Sequence, residues 1–268
     1  SRAAKTVAEV EETLEAFRFN EAANAAYDFV WGTFCDWFVE LAKPVFNGED
    51  EALKAETRAT AAYTLDQILK LLHPFMPFVT EELWAPTGQT GPKLDKLLIV
   101  SEWPQLAELI NEEAEAELGW MIELITGIRS LRVEMNVPAG AKVPLVVVDA
   151  NVDTKARLAT QDAMIKRLAR VEAIDFADEV PSESAQLVLG EATIAMPLAG
   201  VIDIAAEKER LNKELTKLDK EIDGVAKKLA NEQFISKAPA HVIDDQKQRK
   251  TDAEEKKERV EAAFARLG

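Results

Sequence analysis

A chain of 268 residues that is 47% apolar and 30% charged has enough material for two ordinary domains or one large one, and its composition is globular rather than disordered. No run of about 18 apolar residues occurs, which excludes a membrane-spanning helix of that kind. The net charge of −16 arises wholly in the first 200 residues, with 17 basic and 33 acidic side chains, whereas 15 of each balance from residue 201 onward.

Residues 1–108 read as helices punctuated by prolines. Val7, Val10, Leu14 and Phe17 recur at helical spacing, and Asn20 is the expected cap of a second helix. That helix carries Tyr27, Val30, Trp31, Phe34, Phe38 and Leu41 as a broad apolar stripe, and Pro44 is expected to stop it. A third helix is expected over 53–72, ended by His73-Pro74-Phe75-Met76-Pro77. A short helix restarts at Thr80, residues 86–92 form a loop with Gly88 and Gly91, and Leu97 to Val100 is a brief apolar run. The pattern is an antiparallel bundle with an irregular appendage.

Between 104 and 200 the period changes. One helix is expected over 106–135, followed by the turn sequence Asn136-Val137-Pro138-Ala139-Gly140. Strands are expected at 143–148, 171–176, 186–189 and 193–198, with a helix over 154–170 and a hairpin at Gly190-Glu191. That order predicts a small α+β domain with a mostly antiparallel sheet.

From residue 204 a heptad pattern begins. Leu211, Leu215, Leu218, Ile222, Val225 and Leu229 are spaced as a coiled-coil seam. Pro239 suits the first turn of a returning helix, whose weaker seam is Gln246, Lys250, Ala253, Lys257, Val260, Phe264 and Leu267. Two complementary helices in one chain favour an antiparallel hairpin over a dimer, as a rod about 40 Å long. The fold class is therefore mainly α, α+β overall: bundle 1–108, α+β junction 109–200 and coiled-coil arm 201–268.

Little of this is catalytic material. Cys35 is a lone cysteine on a packed stripe, with a reducing cytoplasm the default compartment, and His73 and His241 are the only histidines. The start of the chain lacks the apolar stretch of a signal peptide. No phosphate-binding glycine loop or metal cluster is seen, so no catalytic residue, metal or cofactor is expected. Three features can meet RNA. Phe17-Arg18-Phe19-Asn20, helped by Asn24, unites rings and hydrogen-bonding groups at a helix junction. Tyr27, Trp31, Phe34 and Trp37 have rings able to stack on bases, but their helical spacing places most of them in the core. In the tail Lys213, Lys217, Lys220 and Lys227, with Arg210, form a stripe that can track phosphates or pair with acids of the other helix.

Four segments carry a family resemblance. Phe19-Asn20-Glu21-Ala22-Ala23-Asn24 with Phe34-Cys35-Asp36-Trp37-Phe38-Val39-Glu40-Leu41 resembles the anticodon-binding bundle of the valyl-tRNA synthetase family. His73 to Trp84 is similar to a motif shared by the valyl, isoleucyl and leucyl enzymes, and Gly127-Ile128-Arg129-Ser130-Leu131-Arg132 through Pro138 narrows the match to the valyl member. Leu198 to Asp203, Glu209-Arg210-Leu211, Asn231 to Phe234 and Ala238-Pro239 look like the C-terminal arm of the bacterial enzymes. The resemblance implies a fragment that binds tRNA-Val, with Phe17, Arg18, Asn20 and Asn24 at the anticodon. Arg210, Lys213, Lys217, Lys220 and Lys227 would lie at the elbow. The catalytic half, with the family's His-Ile-Gly-His and Lys-Met-Ser-Lys-Ser types of motif and its use of ATP, is implied to lie elsewhere in the same polypeptide. A cytoplasmic monomer is expected. The alternative is a structural coiled-coil module that self-associates and binds little RNA.

Overall fold

The computed structural model describes residues 1–90, 96–231 and 240–267, in two compact units, 1–122 and 123–268. In the first unit run α1 (Arg2–Glu15), α2 (Phe19–Asp28), a π-helical segment (Phe29–Phe38), α3 (Val39–Asn47), α4 (Glu51–Leu72) and α5 (Pro77–Thr90). Short 3₁₀ turns at Leu98–Val100 and Ala107–Leu109 follow, and then α6 (Glu112–Glu134) begins. Val7 and Val10 of α1, Ala22 and Ala26 of α2, Phe29, and Ile68 and Leu71 of α4 form one buried cluster. Asp50 caps α4 by accepting the backbone N–H groups of Ala52 and Leu53, each at 3.0 Å.

Several boundaries differ from expectation. Asn20 is inside α2 rather than capping it, and Arg18 holds the N-cap position. Neither Pro44 nor Pro86 ends its helix; each is followed by about one more turn, to Asn47 and Thr90. Loss of one N–H close to a helix end disturbs few bonds, so a proline there marks the last turn rather than the stop. The 86–92 loop is thus helical as far as Thr90, and residues 91–95 lie outside the described residues. The helix expected from residue 106 begins at Glu112, because the Asn111 side chain accepts the N–H of Ala114 at 2.9 Å and sets the start there.

The second unit holds a four-stranded sheet in the order β2-β1-β4-β3, from β1 (Val143–Val148), β2 (Val171–Phe176), β3 (Ser184–Leu189) and β4 (Ala192–Pro197). β1 pairs parallel with β2 and antiparallel with β4, and β3 with β4 is an antiparallel hairpin turning at Gly190 (φ +60°). The crossover from β1 to β2 is two helices, α7 (Val152–Thr160) and α8 (Asp162–Ala169), because the chain leaves helical geometry at Gln161. Gly127 of α6 lies where a Cβ would meet a methyl of Leu187 on β3 at 3.0 Å, so the helix passes that strand at glycine distance. Arg132, buried and with no carboxylate partner among the described residues, donates to the carbonyls of Pro138 (3.1 Å) and Ala141 (2.8 Å) and pins the turn after α6. Burial lowers its pKa, with the Arg170 charge adding to the effect.

The heptads form α9 (Ile204–Leu229), and the return helix is α10 (Ala240–Arg266). At about 1.5 Å per residue their 26 and 27 residues give arms near 40 Å. Leu211, Leu218 and Val225 are buried on α9, as are Ala253, Val260, Ala263 and Leu267 on or just beyond α10. The overall class is mainly α, with one small mixed sheet. Pro239 and the residues expected at the hairpin tip, 234–239, lie outside the described residues; His241 beyond them is exposed.

Candidate nucleic-acid interface

The junction of α1 and α2 is built by backbone geometry before any side chain acts. The N–H of Phe17 bonds to the Leu14 carbonyl (3.0 Å) and that of Arg18 to the Thr13 carbonyl (2.8 Å), the paired closure of a helix ending in a left-handed residue. That residue is Phe17, with φ +58°, where glycine is the usual choice. It is therefore not the fourth member of the α1 core stripe: its ring is 79% exposed and meets the edge of Phe19 at 6.2 Å between centroids. Arg18 is braced by Glu21 (2.8 Å) and Glu12 (3.6 Å), which leaves its guanidinium part-exposed and oriented. Asn20 and Asn24 are exposed one turn apart on α2. All four predicted residues thus lie on one stretch of surface.

The stripe continues further than expected. Tyr27 and Trp31, which their helical spacing placed in the core, are instead 60% and 58% exposed. The buried face of α2 is instead Ala22 and Ala26, leading to Phe29. Small side chains let α2 approach α1 closely, so the core side is the alanine side and the large rings turn outward. Phe34 does pack against the core and stacks on Phe38 at 5.3 Å. The alanine period was the signal in the sequence that would have found Tyr27 and Trp31.

The arm sorts its charges by helix. Acids of α9 take cations of α10: Glu214 with Lys256 (2.8 Å), Asp219 with Lys257 (2.8 Å) and Glu221 with Arg249 (2.6 Å). Arg210 is held on its own helix by Glu207 (2.6 Å) and Glu214 (2.9 Å), and Lys213 by Glu209 (2.5 Å). Lys217, Lys220 and Lys227 are exposed and make no ion pair among the described residues. Lys217 borders an open groove of about 460 Å³ whose lining is mixed in charge, the cations Lys213, Lys217, Arg249 and Lys256 alternating with the acids Glu214, Glu221 and Asp252. The hydrogen bond from Lys256 holds the Glu214 carboxyl below its ordinary value, against partial desolvation. A carboxylate depressed in the folded state stabilises it above the unfolded value and loses that contribution as pH falls through the folded one. Acid is therefore expected to lower the melting temperature of the arm progressively below about pH 4.5, and Glu214→Gln to flatten that dependence. Melting profiles followed by circular dichroism check this, and identical profiles for the two proteins would contradict it.

Among the described residues no cluster of His, Cys, Asp or Glu is suited to a metal ion, and no helix is long and apolar enough to cross a membrane. A model of the family described as the anticodon-binding domain of tRNA ligase matches residues 1–147, more than half of the chain. The chain belongs to that family. A second model, the valyl tRNA synthetase tRNA binding arm, matches residues 203–268. The chain is 53% identical over 258 residues to the valine–tRNA ligase of Brucella suis biovar 1 (strain 1330), covering 96% of this chain and 28% of that protein. It is 53% identical over 264 residues to the valine–tRNA ligase of Caulobacter vibrioides, covering 98% and 29%. It is 50% identical over 259 residues to that of Mesorhizobium japonicum, covering 97% and 28%. The chain thus spans less than a third of the length of these relatives, and the resemblance seen in its motifs to the valyl-tRNA synthetases holds over almost all of it. Both matched models describe RNA-binding modules rather than catalytic domains.

Proposed function

We propose that this chain is the tRNA-binding part of a valine–tRNA ligase. Residues 1–108 read the anticodon of tRNA-Val, residues 201–268 grip the elbow, and residues 109–200 join the two. Valine is activated with ATP by the rest of the ligase, in the cytoplasm; this part supplies binding and orientation. The observation that carries the reading is the exposed junction itself, where Phe17, Phe19, Asn20 and Asn24 present stacking faces and amides that the bundle core does not use. A gel shift with tRNA-Val transcript against an anticodon-altered transcript tests it: the first is expected to bind more tightly, and equal affinities would overturn the anticodon assignment.

Phe17→Gly makes the test sharper. Left-handed strain of about 1 kcal/mol is relieved, and the backbone entropy cost of glycine is of similar size, so stability is expected to change by no more than about 0.5 kcal/mol. Discrimination between the two transcripts is expected to fall, as it is for Arg18→Ala. A variant that melts early would make its residue structural, and one that discriminates like the parent would remove that residue from the anticodon site.

The competing reading, a self-associating coiled coil, has less to stand on because the α9 seam is already covered by α10 within the chain. Sedimentation is expected to show a monomer at all concentrations. Valine-dependent pyrophosphate exchange by the chain alone is expected to stay at background; measurable exchange would contradict the division of labour proposed.

A further inference from the structure

Two short stretches of the second unit reverse the charge of the acidic part of the chain. Residues 129–142 and 162–172 hold six of the 17 cations in the first 200 residues but only three of the 33 acids. The fold brings these stretches together. Arg129 Nε donates to the Leu168 carbonyl (3.0 Å), and the buried Arg132 to the Arg170 carbonyl (3.5 Å). That carbonyl also accepts the Val143 N–H (3.2 Å), and Val143 pairs with Val171. Lys142 and Arg170 thus lead side by side into β1 and β2. Lys142, Arg167 and Arg170 are exposed and make no ion pair among the described residues. Of the three acids, Glu134 is taken by Arg266 and Asp162 by Lys166 (2.8 Å). Glu172 makes no ion pair with this cluster among the described residues.

The negative end of the α8 dipole accounts for Lys166 and Arg167. It does not account for Lys142, which is on no helix, nor for the backbone of Arg170. Like Phe17 and Glu183, Arg170 is left-handed (φ +54°), and glycine or asparagine usually fills such a place at a helix end. Its charge also lies close enough to oppose that of Arg132. Cations held together without an acid to neutralise them form a site for an anion from outside. We propose that Lys142, Arg167 and Arg170 grip the sugar-phosphate backbone of the tRNA, so that residues 109–200 are a third RNA contact and not only a connector. The inference rests on the RNA-binding function proposed above. Guanidinium forks match phosphate oxygens in pairs. Neither stretch contains an aromatic ring, so the contact is to backbone and not to stacked bases.

Arg167→Gln with Arg170→Gly tests this, because glycine suits the left-handed backbone. The melting temperature is expected to stay at or above that of the parent. Affinity for tRNA-Val is expected to fall about thirtyfold near physiological salt, and the slope of log affinity against log salt by about 2. Lys155→Gln removes a cation at the opposite end of β2, where Lys155 lies over the Phe176 ring (5.6 Å), and is expected to bind like the parent. Phosphate-ethylation interference locates the contact. Phosphates that matter to the parent should become indifferent in the arginine variant, and they should differ from those lost with Lys217→Glu, Lys220→Glu and Lys227→Glu together. Unchanged affinity with a parallel salt slope overturns the proposal, as does an early melt, which makes the arginines structural. Inorganic phosphate bound by the parent and not by the variant, with tRNA affinity unchanged, means a small-anion site and overturns it too. So does polyglutamate bound as tightly as tRNA and equally dependent on both arginines, which means an acidic protein surface. The loss is read on either transcript, so a parent that does not discriminate between them overturns the anticodon assignment alone.

Discussion

Leu218→Asp is expected to unfold the arm while leaving the helix bundle standing. Leu218 is 4% exposed, midway along the α9 seam between the buried Leu211 and Val225. Removing a buried leucine costs about 2–5 kcal/mol, and a carboxylate left unpaired in that seam adds several more. A two-helix rod has only its single seam to offset this, whereas the bundle has its own core in Val10, Ala22, Phe29 and Leu71. Circular dichroism should therefore lose about the share of helix that α9 and α10 contribute, and affinity should drop at least tenfold for every tRNA alike, because an unfolded arm no longer presents its cations in a row. Leu215→Asp, at a half-buried seam position, is expected to be milder. An unchanged spectrum for Leu218→Asp would mean that the seam does not hold the hairpin together.

How much of this was legible in sequence depended on which residues marked the buried side. The leucines of α9 announce the seam, since leucine at a spacing of four and three has few uses other than packing. β1 and β2 fall where their β-branched runs predict, and Gly190 turns the hairpin as expected. In α2 the marker failed. Aromatic residues are the largest apolar side chains, so a stripe of them reads as core, yet the space between α1 and α2 admits only alanine. Caps also overrode periodicity: Asn111 delayed α6 although the residues before it were helix-compatible. The site residues were legible as chemistry but not as presentation. Nothing in the string Phe17-Arg18-Phe19-Asn20 says that Phe17 is left-handed, because no glycine is there to announce it. Arg210 and Lys213 pair with acids three or four residues away on α9, whereas Arg249, Lys256 and Lys257 of α10 find their acids on α9 only once α10 has chosen its register.

That sorting of lysines sets the second large effect. Lys217, Lys220 and Lys227 stand free of ion pairs among the described residues, whereas Lys213 is engaged by Glu209 and Arg210 by two glutamates. Exposed pairs are worth at most about 1 kcal/mol, so Lys213 can still turn to a phosphate, but the three unpaired lysines lose nothing by doing so. Changing all three to Glu is expected to shift arm stability by only about 0.5 kcal/mol per site, since none contributes to the seam. The effect on binding should be far larger. Three fewer phosphates neutralised reduces the slope of log affinity against log salt by about 2–3, which near physiological salt corresponds to roughly a hundredfold loss of affinity. The loss should be the same for tRNA-Val and for its anticodon-altered counterpart, because phosphate contacts position the RNA without reading it. Lys213→Gln serves as the internal comparison and is expected to cost much less than any of the three alone. Titrations from about 50 to 200 mM salt separate the possibilities. A parallel salt slope for parent and triple variant would show that the stripe only solvates the helix.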